Sequence, residues 1–85
     1  MKKEGAGGLK MPHIVVKLWP GRDEEVKRNL AEKIADMVVA ELGSNRSSVS
    51  VAIEEVAKED WGEQVYKKEI KDNPTIYVKP GYEYE

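Results

Sequence analysis

Residues 23–42 read DEEVKRNLAEKIADMVVAEL, and this stretch decides the fold. Val26, Leu30, Ile34, Met37, Val38 and Leu42 recur at steps of three and four, with Ala31 and Ala35 widening the stripe. That spacing is the signature of an amphipathic helix. Asp23 is placed to cap its first turn, and Glu24 and Glu25 complement the positive end of the helix dipole. Gly43 follows at the position where a helix ends in a left-handed residue.

Working outward, residues 12–19 read PHIVVKLW. Ile14, Val16 and Leu18 alternate onto one face, and His13, Val15, Lys17 and Trp19 onto the other, which predicts a strand. Proline is tolerable at its first position, where no ladder donor is needed. Pro20-Gly21 supplies a turn. Beyond the helix, Ser44–Ser48 reads as a loop, and Val49–Val56 alternates again with Val49, Val51 and Ile53 on one face. Strand, long helix, strand is a β-α-β unit, so the two strands are expected to be parallel with a right-handed crossover. The helix covers one face of that sheet. Nothing else in the chain is large enough to cover the other.

The remaining signals are shorter. Asp60–Ile70 predicts a short second helix with Trp61, Val65 and Ile70 as its apolar stripe. Thr75–Val78 reads as a short C-terminal strand bounded by Pro74 and Pro80-Gly81, and the tail from Tyr82 to Glu85 is expected to fray. The fold class is therefore α+β, a β-α-β unit with a two-stranded parallel sheet, a short second helix and a short C-terminal strand. Residues 1–10 are rich in Gly and Lys with no period of either kind. They read as an N-terminal extension or tag, which leaves residues 11–85 as a single domain.

Composition narrows the function. An 85-residue chain is one small domain at most, and one of this size buries only about 60% of the surface its unfolded form exposes. With no cysteine there is no disulfide or thiolate metal site to compensate, so self-association is expected. A net charge of -2 offers no basic excess for a nucleic-acid backbone. No apolar run approaches the roughly 20 residues of a membrane span, and no secretory signal is visible. A cytoplasmic location is expected. One histidine, no cysteine and no Gly-rich phosphate loop exclude the common triads, zinc sites and nucleotide cradles. Any catalysis must use less usual groups, and Met11-Pro12 draws attention.

Met-Pro-His-Ile at 11–14, Pro20-Gly21-Arg22, the amphipathic helix and Ser48-Val49-Ser50-Val51 together resemble the 4-oxalocrotonate tautomerase superfamily. Trp61 and Lys79-Pro80-Gly81-Tyr82 look most like a small, dimeric bacterial branch of it. The resemblance covers residues 11–82. It implies that the methionine is removed and that the exposed amine of Pro12 is a general base. Elementary chemistry agrees: an α-amino group has a pKa of about 8, and desolvation or a neighbouring cation brings such a group toward neutrality, where a base works best. The resemblance further implies that Arg22 binds a substrate carboxylate and that Trp61 lines the pocket. His13 and Lys17 flank the base.

One position departs from the pattern. Where the founding enzymes carry a second arginine, this chain has Ser50, whose hydroxyl can donate a hydrogen bond but cannot pair a carboxylate as a cation does. Arg46 is the candidate replacement. The expected activity is keto–enol isomerisation of an arylpyruvate-like 2-oxo acid, without cofactor or metal. The resemblance implies that Pro12 is catalytic, and Arg22, Trp61 and Ser50 are expected to bind substrate. Because Pro12 and Arg22 lie at opposite ends of the first strand, the site is expected at a subunit interface of a homodimer or higher homo-oligomer. Two alternatives differ in class. A hydratase or dehalogenase-like lyase would use Glu63 to activate water. A non-enzymatic interaction domain follows if Pro12 is not the free N-terminus, since an acylated proline nitrogen has no basic lone pair.

Overall fold

Strand β1 runs His13–Leu18, helix α1 Glu24–Leu42 and strand β2 Ser50–Glu55. In this computed structural model, residues 11–83 are described. The expected extension, residues 1–10, and the last two residues of the tail lie outside them.

The two strands form a two-stranded sheet. At one end the Ser50 N–H donates to the Pro12 carbonyl at 3.1 Å, and at the other the Val56 N–H donates to the Leu18 carbonyl at 2.9 Å. Both strands advance together between those bonds, so the pair is parallel, as the β-α-β reading requires.

Helix α1 begins and ends where its flanking residues dictate. The Asp23 carboxylate accepts from the Val26 N–H at 2.9 Å, a side-chain cap on an otherwise unpaired donor. At the other end Gly43 takes φ 69°, and its N–H closes onto the Val39 carbonyl at 2.9 Å. The inward face is narrower than the sequence stripe. Ala35 is buried and Ala31, Ile34 and Val38 are half-buried, whereas Val26, Leu30, Met37 and Leu42 remain exposed. A two-stranded sheet is too narrow to cover the whole stripe.

The described residues fall into two compact units. One comprises residues 11–16 with 21–54, and the other residues 17–20 with 55–83. The first is centred on Ala35 and the second on Val65 and Tyr66. The expected short helix at 60–70 is present in altered form. Lys58–Asp60 makes one 3₁₀ turn, and Gly62–Ile70 winds as a π-helix of 9 residues, closed by the Lys71 N–H on the Tyr66 carbonyl at 2.7 Å. Val65 and Tyr66 are adjacent and both buried. The wider i→i+5 turn brings them inward together, with Trp61 and Ile70 flanking.

The expected C-terminal strand is not formed. Asn73 explains why: its side-chain oxygen accepts from the Thr75 N–H at 2.9 Å and from the Thr75 hydroxyl at 2.7 Å. Its carbonyl accepts from the Ile76 N–H at 3.2 Å. This local turn competes with any ladder, Pro74 has no N–H to offer one, and Tyr77 and Val78 stand 96% and 89% exposed. The tail, expected to fray from Tyr82, is instead held at that residue. The Trp61 Nε1–H donates to the Tyr82 hydroxyl at 3.2 Å, and the Tyr82 ring packs on Tyr66 at 5.8 Å between centroids. No helix among the described residues is long and apolar enough to cross a membrane.

Candidate active site

The sheet bond at the start of β2 brings three of the singled-out residues together. Pro12 is half-buried and fixed through its carbonyl, which accepts from the Ser50 N–H. Its ring nitrogen has no part in the ladder. Parallel pairing then places the side chains of His13 and Ser50 on the same face, where His13 Nδ1 and Ser50 Oγ share a hydrogen bond of 2.6 Å. Sequence reasoning noted both residues and missed the pair. The signal lies in the register: in a parallel ladder a bond from the Ser50 N–H to the Pro12 carbonyl puts the next residue, His13, opposite Ser50 on the same face.

Arg22 is exposed, between Gly21, whose φ is 134°, and the cap residue Asp23. Positive φ at that turn favours glycine. Six strand residues, His13–Leu18, separate it from Pro12, so at about 3.3 Å per residue the two lie at opposite ends of β1. One chain does not bring Pro12 and Arg22 together.

Arg46, the candidate replacement for a second substrate-binding arginine, is engaged by two carboxylates. One guanidinium nitrogen donates to Asp36 at 2.7 Å and the other to Glu32, both on α1. Its charge is already matched within the first unit.

The second unit holds the aromatic residue. Trp61 meets Trp19 edge to face, with centroids 6.4 Å apart and planes at 86°, a favoured quadrupole geometry. The Lys58 ammonium sits 5.4 Å from the Trp19 ring centroid, within cation–π range. Lys17, expected to flank the base, pairs with Glu69 in this unit. Glu63, the carboxylate required by the lyase alternative, pairs with Lys67 at 2.6 Å. The hydrogen bond from Lys67, reinforced by its charge and that of Lys68, holds the Glu63 carboxyl below the ordinary range. A carboxylate so stabilised is a poorer base for activating water. Among the described residues no cluster of three or more His, Cys, Asp or Glu could hold a metal ion.

With this geometry in view, the family model described as "Tautomerase enzyme" matches residues 12–69, which span β1, α1, β2 and nearly all of the π-helix. The chain belongs to the tautomerase family. Among its relatives is a probable tautomerase of Xylella fastidiosa, 41% identical over 85% of this chain and 89% of that protein. Tautomerase PptA of Pectobacterium atrosepticum is 42% identical over 87% of this chain and the whole of the relative. A solved 4-oxalocrotonate tautomerase isozyme of Methylibium petroleiphilum superposes with a TM-score of 0.57 at 37% identity, covering 60% of this chain and 82% of that one. Sequence and structure together place this tautomerase in the 4-oxalocrotonate tautomerase superfamily, within the isomerase class. The β-α-β unit with a parallel pair is the fold expected of such a member.

Proposed function

We propose that this tautomerase isomerises the enol and keto forms of an arylpyruvate-like 2-oxo acid, with the amine of Pro12 as general base. Pro12 accepts the enol hydroxyl proton, the electron pair reforms the carbonyl, and the proton is returned to the adjacent carbon. The substrate's own carbonyl is the electron sink, so the chemistry calls for no cofactor. Arg22 holds the carboxylate, a task for which a planar guanidinium is suited. Trp61 supplies the aromatic preference. The observation that carries the reading is the bond from the Ser50 N–H to the Pro12 carbonyl, which anchors the residue through its carbonyl and keeps its nitrogen out of the ladder. Partial burial of Pro12 favours the neutral, basic form of a free amine there.

The base exists only when the Met11–Pro12 bond is cut. Protein beginning at Pro12 should therefore ketonise an arylpyruvate enol about 10²–10⁴ times faster than the 85-residue form, the usual contribution of a positioned base. Equal rates would sink the assignment.

Because the two ends of β1 are too far apart for one small acid, the working site is shared between two copies, Pro12 from one and Arg22 from the other. The exposed Val26, Leu30, Met37 and Leu42 of α1 are apolar surface that association can bury. Mixing inactive Pro12→Ala and Arg22→Ala proteins under conditions of subunit exchange should restore part of the activity. Confirmed exchange with no recovery would refute the shared site.

A further inference from the structure

Resting on the reading above, the geometry points to His13 and Ser50 as a coupled unit that supplies the second substrate-oxygen contact of the active site. Ser50 donates to the substrate oxygen, and His13 is the positioning residue that frees its proton to do so.

The argument starts from the proton count. A serine hydroxyl carries a single hydrogen. In the 2.6 Å bond between His13 Nδ1 and Ser50 Oγ that hydrogen has two possible destinations. If it points at an unprotonated Nδ1, Ser50 has only lone pairs left for a third group and repels an anion. If instead Nδ1–H donates to Oγ, the hydroxyl hydrogen is released and can point at a carboxylate or enolate oxygen. Substrate negative charge favours the second arrangement. The change needs no net proton uptake, because the imidazole hydrogen can pass from Nε2 to Nδ1 through solvent. His13 is exposed, so water reaches the ring.

The position of the pair gives this switch a purpose. Ser50 is bonded through its own N–H to the carbonyl of Pro12, so the pair lies at the strand end that carries the proposed base. Arg46 is already matched by Glu32 and Asp36. The pair is thus a neutral donor where a second cation would otherwise be needed. A neutral donor suits a monocarboxylate with a 2-oxo or enol oxygen. It suits a dicarboxylate poorly, since one hydroxyl cannot compensate a second full charge.

Two measurements test the unit. In the form beginning at Pro12, Ser50→Ala and His13→Phe should each raise KM for phenylpyruvate enol about fivefold to tenfold, the scale of one hydrogen bond, with kcat nearly unchanged. The double variant should be no worse than either single one, because both remove the same contact. Ser50→Thr and His13→Gln, which keep a hydroxyl and an N–H respectively, should recover most of the loss. Additive effects, or failure of both conservative variants to rescue, would overturn the coupling.

The second measurement does not depend on Pro12 being a base. The chain has one histidine, so its imidazole ¹⁵N signals need no assignment. Adding phenylpyruvate to the full chain and to a Pro12→Ala form beginning at residue 12 should shift Nδ1 toward the protonated type, and the shift should vanish in Ser50→Ala. If Nδ1 is unmoved in both forms, the unit is wrong even where Pro12 proves essential. If Nδ1 moves while the Pro12→Ala form keeps full activity, the general-base reading fails and the His13–Ser50 contact survives it.

Discussion

In residues 11–16 and 21–54, element boundaries coincide with residues that have a local reason to be there. Asp23 caps a helix and Gly43 ends it in the left-handed region. In residues 17–20 and 55–83 the organising features are contacts between distant side chains. Trp61 reaches Tyr82, Tyr66 packs on Tyr82, and Trp19 meets Trp61. The first region can be followed residue by residue from periodicity and capping. The second depends on which aromatic rings find each other, and its helix takes a wider turn to bury two adjacent side chains. Backbone rules govern one region and side-chain packing the other.

If that contrast is right, the largest stability effect belongs to the aromatic region. Tyr66→Ala should destabilise the protein by about 3 kcal/mol, as truncation of a buried aromatic typically does. Hydrogen exchange should show residues 58–83 losing protection first. The corresponding change in the other region, Asp23→Ala, should cost about 1 kcal/mol, the usual value of an N-cap. Its exchange effect should be confined to the first turn of α1. Urea denaturation of the two variants compares them directly, and a larger loss for Asp23→Ala would reverse the contrast.

The smallest effect is a titration. Hydrogen bonds from Lys67 to Glu63 and from Lys27 to Glu24, together with those lysines' charges, lower both carboxyls. A carboxyl lowered in the folded state stabilises it above the ordinary carboxylate range, and that stabilisation is lost as pH falls through the lowered range. Both groups are fully exposed, so little stability is at stake. The expected observation is therefore the ¹³C titration midpoint of Glu63, which should rise in Lys67→Met. An unchanged midpoint would show that the pair in the π-helix is broken in solution.

Most of the β-α-β unit was legible because its signals are local. Alternation marks β1 and β2, a step of three and four marks α1, and Asp23 and Gly43 mark its ends. Pro12 and Ser50 were legible as site candidates through motif order, and their approach follows from strand register. The missed features are non-local or competitive. Thr75–Val78 has strand composition, but Asn73 captures the backbone of Thr75 and Ile76 before any ladder can. Tyr82 lies in a polar tail, and only the positions of Trp61 and Tyr66 give it partners. In 61–70 the α period was the wrong template: Trp61 to Tyr66 and Val65 to Ile70 are both steps of five, which helical patterning at three and four does not register.

The parallel register also governs how this gene can change length. The bonds from Ser50 to Pro12 and from Val56 to Leu18 preserve a constant offset along the whole strand pair. A codon gained or lost in the surface loop before β2 alters only a connection, and the strands can pair as before. The same change between Ser50 and Val56 would send every later side chain of β2 to the opposite face. Lineages of this protein should therefore record their insertions and deletions in the loops, while the interval from Ser50 to Val56 keeps its length.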